Sequence, residues 1–234
     1  MSADGKLWFG TWVNGLVSLF DGERWATFGP AQGLSSGGYV WAVAAGQGGT
    51  AWAGTSNGLG YFDGSAWRMQ SSFGGAAVDD VRSVTITADQ TTWIGTYDYQ
   101  QGGQVAMFRE GVWRVFGEAD GLTPGEGVWS LAARPDGTVY AGTTNGLYRF
   151  DGIRWMLVAG SPRYVNDIAF AQDDSLWVAT EFDGVSRHDG MAWQDNYRLG
   201  DGLPGLRMNT VAIAPDGALW VGGDGGASRL IVRR

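Results

Sequence analysis

Aromatic rings that could stack on a ligand occur in this sequence outside any regular packing pattern. Three of the 13 tryptophans, Trp12, Trp41 and Trp129, break the regular spacing that the other ten keep. Trp41 and Trp129 each stand second in a short apolar segment that recurs along the chain. Its other copies carry Arg82, Asn166 and Asn209 at that place. No packing rule requires such a mixture, so we expect these positions to serve recognition.

The loops around these positions supply further polar and aromatic groups. Stacking surfaces beside a few amides, guanidinium groups and carboxylates suit a neutral or weakly charged ligand, such as a small glycan or a peptide. The alternative is that the rings only fill the mouth of a channel. The predicted ligand-binding residues are Trp12, Tyr39, Trp41, Asp80, Arg82, Tyr97, Tyr99, Trp129, Tyr164, Asn166, Arg207 and Asn209.

Residues for catalysis are sparse. The only histidine, His188, stands where other repeats carry Phe, at the end of a predicted strand and away from these loops. A Ser-His-Asp triad or a histidine metal site would need it among them. Asp80, Glu126 and Asp167 could converge as the carboxylates of a glycosidase. We predict no catalytic residue, no metal site and no cofactor, and keep a lyase or a glycosidase as a lesser alternative.

Composition narrows the range of partners. The 234-residue chain has a net charge of −8, with no basic run except its last two residues. This argues against nucleic acid, whose phosphates need a positive surface. No apolar run approaches the length of about 18 residues that spans a bilayer, so no membrane insertion of this chain is expected. The first residues lack the features of a signal peptide, and the absence of cysteine removes disulfides and thiolate chemistry.

A repeat organises the whole chain. A Trp-x-Gly-Thr pattern recurs at intervals of 37 to 47 residues, about the length of a four-stranded propeller blade. Each period holds four short strands, here A to D, separated by turn residues, and no stretch has helical periodicity. We predict an all-β β-propeller of four-stranded antiparallel blades. The predicted A strands are Val40–Ala44, Val81–Ile86, Val128–Ala132, Val165–Phe170 and Met208–Ile213.

The ten regularly spaced tryptophans are predicted to pack blade against blade. Large rings suit the gap of about 10 Å between stacked sheets. The Gly of Trp-x-Gly-Thr should let neighbouring backbones approach closely. The strand B positions are Trp8, Trp52, Trp93, Trp177 and Trp220; the strand D positions are Trp25, Trp67, Trp113, Trp155 and Trp193.

The full repeat resembles a known family. W-x-G-T is followed by GL-x-x-[FH]-DG-x-x-W, and the linkers read AQGLSSGGYVWAV (31–43), ADGLTPGEGVWSL (119–131) and GDGLPGLRMNTV (200–211). The pattern is similar to the two-component regulator propeller repeat. That resemblance implies a sensor-type β-propeller, usually the periplasmic or extracellular part of a hybrid histidine kinase. Repeat five has Ala179 for Gly, and the last copy lacks the Thr and the Asp-Gly step. We expect no transmembrane helix, kinase or immunoglobulin-like module in this sequence, so only the sensing architecture is carried over.

The repeat count leaves ring closure open. We treat 1–234 as one domain with copies at about 1–36, 37–78, 79–125, 126–163, 164–206 and 207–234. Six blades are favoured, the first without strand A and the last without strand D. Five blades with a spare hairpin, or an arc of a larger propeller, are the alternatives. Unpaired edges invite association, so self-association is expected, and an interaction or self-assembling scaffold is the second candidate function.

Overall fold

The computed structural model describes residues 5–70, 72–73, 76–98, 102–123 and 125–230, and they form six small antiparallel sheets. The first three sheets contain β1 (Leu7–Gly10), β2 (Val17–Phe20) and β3 (Trp25–Phe28); β4 (Val40–Ala45), β5 (Ala51–Thr55), β6 (Gly58–Phe62) and β7 (Trp67–Gln70); and β10 (Val81–Ile86), β11 (Thr92–Thr96), β12 (Val105–Arg109) and β13 (Val112–Phe116). A short hairpin of β8 (Ser72–Phe73) and β9 (Ala76–Ala77) lies between the second and third.

The last three sheets repeat this order. They contain β14 (Val128–Ala133), β15 (Val139–Thr143), β16 (Leu147–Phe150) and β17 (Trp155–Leu157); β18 (Val165–Phe170), β19 (Leu176–Thr180), β20 (Val185–His188) and β21 (Trp193–Tyr197); and β22 (Met208–Ile213), β23 (Leu219–Gly223) and β24 (Gly226–Leu230).

The sheets are the six blades of a β-propeller. The A strands β4, β10, β14, β18 and β22 pack side by side in chain order, and β1 lies beside β4. Among the described residues the first blade has no A strand and the last has no D strand. This confirms the favoured arrangement of six blades with partial first and last ones. Five blades with a spare hairpin is wrong, because the last three strands form a sheet of their own.

Tryptophan pairs fill the spaces between the first four blades, as the repeat predicts. The strand B ring of one blade meets the strand D ring of the next edge to face, at 87° to 89°. The ring centroids lie 6.0 Å apart for Trp8–Trp67, 6.2 Å for Trp52–Trp113 and 5.8 Å for Trp93–Trp155. Such a pair contributes about 0.5–1.5 kcal/mol beyond the area that it buries.

The glycine of Trp-x-Gly-Thr is required by the same packing. A Cβ on Gly10 would lie 2.5 Å from Cγ1 of Val40, and one on Gly95 would lie 2.5 Å from Cγ1 of Val128. Both valines belong to the A strand of the following blade. At these two junctions a Cβ would push the sheets apart, which confirms the predicted close approach there. The fifth blade accommodates Ala179 at the equivalent position.

The Asp-Gly turns between strands C and D are stabilised by hydrogen bonds to their aspartate side chains. In each, one carboxylate oxygen accepts the backbone N–H groups two and three residues ahead, from Ser65 and Ala66 in the case of Asp63. These hydrogen bonds favour the ionised carboxylate and lower its pKa. The pKa is lowered in this way for Asp21, Asp63, Asp151 and Asp189, and for Asp63 a further bond from the Ser65 hydroxyl is the largest cause.

The expectation of no helix is wrong for four single turns of 3₁₀-helix. They are Pro30–Gln32, Gln47–Gly49, Glu118–Asp120 and Leu199–Asp201. Three of them lie in the linkers between strands D and A, and each ends at a glycine with a positive φ. The leucine that follows, Leu34, Leu122 or Leu203, is buried. Three residues are too few to show helical periodicity in a sequence.

Removing one packing ring should unfold the propeller at a lower denaturant concentration. Trp155 is 1% exposed, so Trp155→Ala leaves a large cavity and should cost about 3–5 kcal/mol of unfolding free energy. Ile153→Ala, at a 76% exposed position two residues away, is the matched control and should cost little. Urea titration measures both, and equal losses would contradict the packing role.

The turn aspartates should make stability depend on pH. Their lowered pKa values mean that the stabilisation is present above the unfolded-state pKa near 3.8 and is lost as the pH falls through the folded-state pKa. Replacing all four by Asn keeps the turn acceptor but removes the charge. We expect this variant to be less stable at neutral pH and to lose less stability on acidification, measured by urea titration across pH.

The control for this experiment is Glu118→Gln, which removes an exposed carboxylate from outside these turns. Its stability should follow the wild-type pH profile. A four-Asn variant with an unchanged pH profile would show that the turn hydrogen bonds do not hold the charged form.

Candidate functional site

A β-bulge in each of the five A strands aims one side chain towards the propeller axis. In every pairing of strand A with strand B the register shifts at the second residue of strand A. Bulges leave one residue unpaired and redirect its side chain, often beside functional sites. The residues at the five shifts are Trp41, Arg82, Trp129, Asn166 and Asn209.

These five side chains line a single cavity of about 600 Å³. The structure therefore brings Trp41 and Trp129 to the same opening of the propeller. The complete lining is Trp41, Arg82, Trp129, Tyr164, Asn166, Glu181, Phe182, Arg207 and Asn209. Seven of the residues predicted from the sequence are in it. Tyr99 lies outside the described residues.

Arg82 is the centre of the aromatic half of the cavity. Its guanidinium carbon lies 3.9 Å from the ring centroid of Trp41, 5.5 Å from that of Tyr97 and 5.3 Å from that of Trp129. Asp80 pairs with Arg82 at 2.6 Å and accepts the indole N–H of Trp41 at 2.6 Å. The guanidinium and the carboxylate neutralise each other, so the aromatic faces surround a charge-balanced group.

Exposed rings extend this half outwards. Trp12 lies 5.7 Å from Tyr39 and 6.4 Å from Trp41, measured between ring centroids. Trp12 is 66% exposed and Tyr39 is 43% exposed, although both are large hydrophobic side chains. Tyr97 stacks at 4.8 Å on Trp129. The four remaining predicted residues, Trp12, Tyr39, Asp80 and Tyr97, thus contact the residues that line the cavity.

The opposite half of the cavity is polar. Glu181 accepts hydrogen bonds from the amide of Asn166 at 3.0 Å and from Arg207 at 3.1 Å. Asp224 accepts from Arg207 at 3.3 Å and from the amide of Asn209 at 3.1 Å. Among the described residues Arg207 is the only cation paired with these two carboxylates, so this half carries one more negative charge than positive, unlike the aromatic half.

Two lining residues of this half, Glu181 and Phe182, were not predicted from the sequence, and neither was Asp224, which bonds to the lining residues Arg207 and Asn209. They follow strand B, at the places that Trp12, Tyr97 and their neighbours hold in other blades. The signal was therefore present, because every blade places the same loop at the same opening. Phe182 meets Tyr164 edge to face at 5.1 Å and is 60% exposed.

Two cavity residues adopt an uncommon backbone conformation. Asp80 has a φ of 49° and Tyr164 a φ of 54°, and each directly precedes the first residue of an A strand. A positive φ favours glycine and costs other residues about 1–3 kcal/mol, and such residues cluster at functional sites. Here the conformation accompanies the entry into the bulged strand and presents both side chains at the cavity.

The three carboxylates considered for catalysis each form hydrogen bonds with different partners. Asp167 accepts the backbone N–H of Val211 at 2.9 Å and the hydroxyl of Thr210 at 2.8 Å, and so ties the fifth blade to the sixth. Burial raises its pKa. Glu126 accepts the hydroxyl of Thr143 at 2.9 Å, and its pKa is also raised by burial. Asp80 is engaged by Trp41 and Arg82 as described.

His188 lies at the end of β20, as predicted, and takes no part in the cavity lining. Its Nδ1 accepts the backbone N–H of Gly190 at 3.0 Å, and its ring lies 5.1 Å from that of Trp193. These contacts make it part of the turn between strands C and D. No helix among the described residues has the length and apolar character needed to cross a bilayer.

Comparison with known proteins identifies structural neighbours only. No protein-family model matches the chain, and no curated protein sequence matches it. The extracellular domain of the hybrid two-component system protein BT3049 from B. thetaiotaomicron is similar, with a TM-score of 0.78 and 19% identity over 97% of this chain. The match covers 32% of the BT3049 domain, so this chain spans about a third of its length.

Two other neighbours differ in function. A streptogramin B lyase has a TM-score of 0.71 and 14% identity, covering 100% of this chain and 81% of the lyase. PorZ, a surface component of the type-IX secretion system of Porphyromonas gingivalis, has a TM-score of 0.64 and 13% identity, covering 97% of this chain and 45% of PorZ. At these identities the likeness shows the β-propeller fold, and the two-component neighbour is consistent with the two-component regulator propeller repeat that the sequence resembles.

Proposed function

We propose that this chain is a non-catalytic, ligand-binding sensory propeller whose cavity takes a small glycan or peptide. The observation that carries the proposal is the cavity itself. It joins the faces of Trp41 and Trp129 to the amides of Asn166 and Asn209 at one opening. Its volume of about 600 Å³ lies within the range of small-molecule sites, about 300–1,000 Å³.

The ion pairs of the cavity leave a net charge of only −1 and so favour a neutral or weakly charged ligand. Arg82 is paired with Asp80, and Arg207 is paired with Glu181 and Asp224. A strongly charged ligand would have to displace one of these partners and leave it unpaired, which is costly in a partly buried site. A glycan instead offers apolar ring faces for stacking and hydroxyl groups for the amides.

A sensory role agrees with the kind of neighbour that the fold has. BT3049 and BT4673, whose extracellular domains match this chain, are hybrid two-component system proteins. A periplasmic or extracellular location remains a prediction from the family resemblance. A streptogramin B lyase is also a structural neighbour, but a lyase or glycosidase function is not favoured, because the only histidine belongs to a turn between strands C and D and Asp167 ties two blades together.

Removing both stacking rings should abolish ligand recognition. We expect the wild-type protein to bind members of a glycan array or a peptide library, and Trp41→Ala with Trp129→Ala to lose that binding by at least about tenfold, since aromatic stacking contributes most of the apolar contact. The affinity for each hit is then measured by calorimetry. Circular dichroism and urea titration verify that the double variant remains folded.

The matched control is Met191→Ala, at a 91% exposed position in a turn between strands C and D. It should bind like the wild type. Binding that survives the loss of both tryptophans would place the ligand elsewhere, and the absence of any glycan or peptide hit would favour the interaction scaffold instead.

A further inference from the structure

The first and last blades expose aromatic rings whose equivalents at the junctions between blades are buried or half-buried. At the strand B position, Trp52, Trp93 and Trp177 are at most 7% exposed, whereas Trp220 of the last blade is 45% exposed. At the strand D position, Trp67 and Trp155 are at most 2% exposed, whereas Trp25 of the first blade is 61% exposed. Trp220 and Trp25 occupy the strand B and strand D positions whose rings meet at junctions elsewhere in this molecule.

The exposed flank of the first blade has the same arrangement of rings as the strand D side of a junction inside the propeller. We call Phe9, Phe20 and Trp25 the first-blade flank. The rings of Phe20 and Trp25 lie 4.9 Å apart at 31°. The corresponding pairs inside the propeller are similar, at 5.3 Å and 38° for Phe62–Trp67 and 4.9 Å and 36° for Phe108–Trp113. Phe9 is 44% exposed beside Trp25, so this flank is an open aromatic surface.

The exposed flank of the last blade corresponds to the strand B side of a junction inside the propeller. It consists of Trp220 and Gly222 in strand B and Ala212 in strand A, and we call these residues the last-blade flank. Inside the propeller the glycine equivalent to Gly222 touches the next blade, as Gly10 touches Val40. A Cβ on Gly222 would meet only Thr210 of its own blade. The space that a following blade would fill is therefore open.

We propose that copies of this chain associate head to tail, with the last-blade flank of one copy against the first-blade flank of the next. The proposal extends to two molecules the edge-to-face contact that already joins neighbouring blades within one. Each flank is apolar and exposed, and the two flanks do not cover each other within the chain. A contact between different surfaces repeats around a closed ring or along an open chain. The inference is independent of the proposed ligand.

The test uses two single variants of the full chain, Trp25→Glu and Trp220→Glu. Both positions are exposed, so folding should be retained. In analytical ultracentrifugation over a wide concentration range, the wild type should form larger species and each variant alone should be a monomer. An equimolar mixture should form a dimer, because each variant keeps the flank that the other has lost.

Met191→Glu, which adds the same charge at a 91% exposed site away from both flanks, should associate like the wild type. Three results would overturn the proposal: a wild type that is monomeric at every concentration, variants that still associate alone, or a mixture that stays monomeric. The first would mean that the flanks close on each other or remain free. The other two would mean that any association uses another surface.

Discussion

The edge-to-face contact between a tryptophan of strand B and a tryptophan of strand D in the next blade is the interaction on which this molecule depends. It fixes the separation and the tilt of neighbouring sheets, and the glycine two residues after the strand B tryptophan lets the inner strands approach. Because the same contact recurs at successive junctions, the inner strands stay close to a common axis. All later features of the site follow from that placement.

The bulge in strand A converts this scaffold into a site. A regular strand would alternate its side chains between the two flanking blades and present none to the axis. One extra residue in each A strand aims a side chain out of that alternation, and five blades do so at the same opening. The side chain at the bulge lies outside the apolar core clusters. Its contacts with the next blade are made at the cavity, as from Trp41 to Asp80 and from Asn166 to the carbonyl of Met208. Tryptophan, arginine and asparagine can therefore replace one another there without disturbing the core.

Much of the fold was predictable because the same sequence pattern recurs in each blade. The predicted bounds of β10, β18 and β22 match the structure, and β4 and β14 extend one residue further. The bulges were not predictable, since a single unpaired residue does not change the composition of an apolar strand. The 3₁₀ turns were too short to show a period. Glu181 and Phe182 were not predicted, although the same loop was identified in other blades, because the prediction for this loop rested on tryptophan and tyrosine rings.

The two sides of the cavity carry different chemical groups. Rings from the first four blades form one side, around Trp41 and Trp129. Amides and paired charges from the fifth and sixth blades form the other, together with the exposed rings of Tyr164 and Phe182. Within the part of the first blade that the structure describes there is no A strand and so no bulge residue, and Trp12 lies beside Trp41 instead. Under the proposed function, an oligosaccharide or a peptide in this cavity would meet mainly rings at one end and mainly polar groups at the other, so its two ends would not be interchangeable.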